Sequence, residues 1–165
     1  MFELKPITRD AVPRALEKAE RYRLLNEPSD AESICLDVLG VDPDNQKALV
    51  MMLLAVTDQF EGFAVDAHRA QDVLQRLKGD YERAYYAGII SERRAKAQLK
   101  KGGPGSGYVA YDGFREAMAF YEKAQAIRPA GNDDSILRWN ACARTLIDHP
   151  FIRPAPEDRV EHQLE

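Results

Sequence analysis

Only two cysteines, Cys35 and Cys142, occur in the 165 residues. That number excludes a disulfide-built secreted scaffold. No run of about 18 apolar residues is present, so no segment reads as a membrane span. The opening MFELKPITRD carries acidic residues and an early proline, and lacks the apolar stretch of a secretory signal. β-Branched and aromatic residues never alternate with polar ones over a strand's length, which argues against a sheet. The three histidines, His68, His149 and His162, have no second ligand at a metal-binding spacing. The chain does have enough apolar residues for a core, at 45%, with 30% charged and a net charge of −4. These features predict a soluble, cytoplasmic, single-domain protein without metal or cofactor.

Apolar residues recur at three- and four-residue intervals from end to end, predicting an all-α fold. The first helix is expected over 11–26 with Asp10 as N-cap, burying Ala15, Leu16, Ala19, Tyr22 and Leu25. A second, over 29–39, buries Ala31, Ile34, Cys35 and Val38 and stops at Gly40. Asp42-Pro43-Asp44-Asn45 makes a turn and a new N-cap, and the third helix follows over 45–60. A fourth is expected over 63–77, a long fifth over 81–100, a sixth over 109–127 ending at Arg128-Pro129, and a seventh from Asn132 or Asp133 to Ile147. Pro150, Pro154 and Pro156 then mark a polar tail, read as extended or disordered.

Two of these helices share a pattern. Ala31-x3-Cys35-x2-Val38-x4-Pro43 has the spacing of Ala117-x3-Tyr121-x2-Ala124-x4-Pro129. Upstream of them stand Ala15-x2-Lys18-Ala19-x2-Tyr22 and Ala84-x2-Ala87-Gly88-x2-Ser91. Small residues at such positions let two antiparallel helices cross closely, here Ala19 on Ala31 and Gly88 on Ala117, while Tyr22 and Tyr121 fill wider gaps. With these residues the chain resembles the tetratricopeptide repeat family, most specifically in FREAMAFYEKAQAIRP, residues 114–129. The resemblance implies an α–α superhelix of about three helix hairpins, over about 12–45, 46–80 and 81–131, plus a capping helix over 132–148. An extension, 1–10, precedes the 11–148 domain and the tail, 149–165, follows it. Gly88 to Ala117 spans 29 positions where Ala19 to Ala31 spans 12, so the third unit carries a 17-residue insertion. The middle unit departs most, with bulky Leu53 where a small residue is usual and no closing proline.

In such repeats the first helix of each pair lines a concave groove. Carried onto this chain, that orientation predicts a partner-binding floor of Leu54, Tyr85 and Ile89, with Arg93, Asn140 and Arg144 at the edges. The Lys and Asn donors of a co-chaperone carboxylate clamp are not at the matching positions, where Leu16, Glu20 and Leu54 stand. The expected function is therefore a non-catalytic scaffold or adaptor that holds an amphipathic helix or extended peptide by its apolar anchors. The tail, with Phe151, Ile152, Val160 and Leu164 among acidic residues, is a competing occupant of this groove or of a neighbour's, a route to self-association.

Two rivals come from the residues themselves. Arg93, Arg94, Lys96, Lys100 and Lys101 form a basic stretch, 93–101, suited to an anionic partner such as nucleic acid or an acidic protein. No aromatic interleaving supports single-strand stacking, so nucleic acid is not the preferred partner. Gly102 to Gly107 invites a nucleotide-binding or enzymatic reading, but its lysines precede the glycines and no strand leads into it. No Ser-His-Asp or Cys-His arrangement emerges, and Cys35 and Cys142 read as buried apolar residues. Trp139 reads as core or cap packing.

Overall fold

The computed structural model describes residues 1–60 and 67–157. Among them stand seven α-helices and no strand: α1 (Val12–Leu24), α2 (Pro28–Val41), α3 (Gln46–Asp58), α4 (Ala67–Gln75), α5 (Asp80–Lys101), α6 (Ser106–Ala126) and α7 (Asp134–Asp148). The chain is all-α. Among the described residues each helix packs on the next. α3 also packs against α1 and against α5. α1, α3 and α5 thus lie side by side, a packing order consistent with a helical superhelix.

Local chemistry places most boundaries. Asn45 caps α3 as expected, its side chain accepting from the Ala48 amide at 2.9 Å. Asn132 accepts from the Asp134 amide at 3.0 Å at the start of α7. Asp10 is no cap; it sits in a short 3-10 turn, Arg9–Ala11. α2 begins a residue earlier than expected, at Pro28, whose missing N–H costs nothing in a first turn. It also runs through Gly40 to Val41, because Gly40 is not left-handed and the Asp42 amide still bonds Val38. Asn26, at φ 60, ends α1 in the glycine-like region that asparagine tolerates. The expected start of the fourth helix, Phe63, lies outside the described residues.

The insertion is mostly helix. α6 starts at Ser106, three residues before the expected 109, and both arms of the α5–α6 hairpin exceed twenty residues. The close crossing also differs from expectation. A Cβ on Gly88 would stand 2.4 Å from Cε1 of Tyr121, so Gly88 faces the Tyr121 ring rather than Ala117. A second close approach sits nearer the tip, where a Cβ on Gly113 would stand 2.9 Å from that of Ala95. Ala19 and Ala31 are both fully buried.

The tail is not free at its root. Ile152 is buried, its amide donates to the His149 carbonyl at 2.9 Å, and the Phe151 carbonyl presses on Gly107, where a Cβ would stand 2.5 Å away. Burying one isoleucine outweighs the polar character that suggested a loose tail from Pro150 onward.

Candidate functional site

The odd-numbered helices are tied across their shared face by charge. Asp58, at the end of α3, is gripped from both sides. Arg23 of α1 donates Nε to Asp58 Oδ2 at 2.7 Å, and Arg93 of α5 donates Nη1 to Oδ1 at 2.5 Å. The same Arg93 nitrogen reaches the Leu54 carbonyl at 3.0 Å and Thr57 Oγ1 at 2.7 Å. Burial lowers the pKa of Arg93 below its ordinary value, against the opposing pull of Asp58, yet leaves it a cation.

The next residue, Glu92, anchors a second cluster. Its side chain is 1% exposed. The Tyr121 hydroxyl of α6 donates to its Oε2 at 2.6 Å, Lys96 Nζ lies 2.7 Å from its Oε1, and Arg138 of α7 grips both oxygens, Nε donating to Oε2 at 3.1 Å. Burial raises the Glu92 pKa, but the bonds from Arg138, Lys96 and Tyr121 outweigh it, and the carboxyl titrates below its ordinary value. Burial, then the charge of Glu92, drives Tyr121 far upward. Adjacent residues of α5 therefore fasten it to α1 and α3 on one side and to α6 and α7 on the other.

Toward the start of α5, Tyr85 stacks near Tyr81 at 5.8 Å between ring centroids and meets Tyr86 edge-on at 5.0 Å. Burial, followed by the charge of Asp134, pushes Tyr85 up to about 12. The Tyr81 hydroxyl donates to Asn132 at 3.3 Å, closing the α5–α7 end.

Against this frame, the six expected groove residues separate. Leu54 and Arg93 are brought together by a hydrogen bond, and Leu54 and Tyr85 are half-exposed. Ile89 lies in the core, 6% exposed, because it sits on α5 just before the doubly fastened turn. Among the described residues no hydrogen bond or ion pair joins Asn140 or Arg144 to the other four; Arg138 is the α7 residue bonded to α5. Projection along the first helices points Arg23 and Glu92 toward the groove, but it does not find their partners Asp58 and Arg138, charged residues that a hydrophobic period passes over.

The rival features are also located. In the basic stretch, Arg93 and Lys96 are engaged by Asp58 and Glu92, while Arg94 and Lys101 are exposed. Gly102, Gly103 and Gly105 take positive φ to turn the chain between α5 and α6. Two clefts are described. One, about 340 Å³, lies between α5 and α6 and is lined by Ser91, Arg94, Gln98, Asp112 and Glu116 among others. The other, about 470 Å³, lies where the tail crosses the start of α6. Neither is lined by any of the six expected groove residues.

Cys35 and Cys142 are buried, free, and pushed by burial up to about 12, which makes them poor nucleophiles. Trp139 is half-buried against the core and donates Nε1 to Glu122 at 3.0 Å. No cluster of metal-ligand type occurs among the described residues, and no described helix is long and apolar enough to cross a membrane. No family model, curated protein or solved structure matches the chain.

Proposed function

We propose that this protein is a tetratricopeptide-like scaffold that holds a protein or peptide partner along its odd-numbered helices. One observation carries the reading. α1, α3 and α5 lie side by side, cross-linked by Arg23–Asp58–Arg93, and still leave Leu16, Val50, Leu54 and Tyr85 half-exposed on successive odd helices. Holding three helices in fixed register lowers the ordering cost of binding an extended ligand. Leu54 and Tyr85 supply apolar anchors, and Tyr85 adds the large, partly wet ring favoured at interfaces. Arg93 acts as a brace rather than as a free edge charge, and Ile89 as core support beneath the surface.

The test is site-specific photo-cross-linking in the source cells. A benzophenone amino acid at Leu54 or Tyr85 is expected to trap a discrete protein adduct. The same group at Leu36, exposed on α2, serves as the control. Identical adducts from all three positions, or none from Leu54 and Tyr85, would overturn the reading.

A further inference from the structure

In a stacked helical array the last helix normally turns a polar face outward. α7 turns out a mixed one, in which two large apolar side chains stand exposed beside Asp134, Arg144 and Asp148. Among the described residues it packs on α6, and away from that contact Leu137 is 62% exposed and Ile147 73% exposed. Between them lie half-exposed Asn140 and exposed Arg144. The four positions follow i, i+3, i+7 and i+10, the spacing of a coiled-coil seam. Arg144 has no carboxylate partner among the described residues, unlike Arg138, which faces inward onto Glu92.

The order of this stripe is self-complementary. A two-fold axis through position 142, with a second α7 running antiparallel, sets Leu137 against Ile147 of the other copy at both ends. The same operation sets Asn140 against Arg144 twice in the middle, an amide oxygen opposite a guanidinium donor. It also pairs Ala141 with Ala143 on the flanks, small residues that allow close approach. Cys142, at the axis, is buried and points inward, so the axis itself holds no bulky side chain. We propose that the outer face of α7 is an isologous interface that takes a second copy of this chain. A parallel arrangement would instead bring Arg144 against Arg144, a like-charge contact that disfavours it.

α7 is about 22 Å long at 1.5 Å per residue, shorter than a standard interface needs, so the dimer is expected to depend on concentration. This inference is independent of the scaffold reading and removes Asn140 and Arg144 from the groove.

The experiment is sedimentation velocity on the full 165-residue chain over a concentration series. The native chain is expected to pass from monomer to dimer, and Leu137→Glu to stay monomeric at every concentration. In the antiparallel pairing Glu at 137 faces position 147 of the other copy, so Leu137→Glu with Ile147→Lys is expected to dimerise again. Leu137→Glu with Ile147→Glu is expected to remain monomeric. Both side chains are solvent-exposed, and unchanged far-ultraviolet circular dichroism confirms that each variant folds. A native chain monomeric throughout, a dimer indifferent to Leu137→Glu, or no recovery in the Glu/Lys pair would each overturn the proposal.

Discussion

The α1–α2 hairpin and the α5–α6 hairpin solve one packing problem in two ways. In the first, thirteen- and fourteen-residue helices pack together, each with an alanine wholly buried in the core, Ala19 and Ala31. In the second, helices of 22 and 21 residues meet through a glycine under a tyrosine ring, Gly88 beneath Tyr121, and again at Gly113 and Ala95. The second places a ring where a side chain would otherwise be, and the Tyr121 hydroxyl thereby reaches Glu92. Glycine on the long hairpin therefore supports a buried network within that hairpin, whereas the buried Glu32 of the short hairpin finds its partners outside it, in Gln59 and in Arg69 of α4.

Several substitutions break or sharpen that contrast. The largest loss is expected for Glu92→Ala, about 3 kcal/mol, because Arg138 and the buried Tyr121 hydroxyl lose their shared acceptor. Denaturant unfolding measures it, and a cost below about 1 kcal/mol would mean that the network contributes only locally. Gly88→Ala comes next. In an open helix this change stabilises by up to about 1 kcal/mol. Here the Tyr121 ring must shift, and a loss of about 1–3 kcal/mol is expected. Ala19→Leu should cost a similar amount by overpacking, whereas Asp58→Asn, at a quarter-exposed carboxylate, should cost about 1 kcal/mol.

Proton linkage distinguishes the networks from the rest of the core. The Glu92 carboxyl titrates lower in the fold than its ordinary 4.5, so the unfolded chain binds more protons in that window. Its stabilisation is present above about pH 4.5 and is lost as the pH falls further. Tyr85 and Tyr121 titrate above their ordinary 10.0, so stability should fall as the pH rises past 10. Glu92→Gln should flatten the acid limb in melts across a pH series, and a Tyr85→Phe variant the alkaline one. The smallest effect concerns Gly107→Ala, which must displace the Phe151 carbonyl; faster proteolysis after Pro150 is expected, with little change in global stability.

The three- and four-residue apolar period carried most of the helix assignments, and Asn45 announced its cap. The long α5 was legible too. The early start of α6 was not, because Ser106-Gly107 reads as loop until the Phe151 carbonyl is seen to need a residue without a Cβ there. The neighbours of the expected site residues were not legible for one physical reason. Periodicity indicates which side of a helix is apolar, not which neighbour that side meets. Thus Ile89 was expected on a floor and lies in the core, while Arg93 was expected at an edge and bonds Asp58.

By itself the sequence determined that this chain folds as consecutive helices, because apolar spacing and turn residues act over a few positions. The tertiary structure decided which charges meet. Arg23, Asp58 and Arg93 come from three helices separated by 35 residues at each step, as do Glu92 and Arg138 at a separation of 46. Coulomb and hydrogen-bond energies depend on distances that only the packed fold sets.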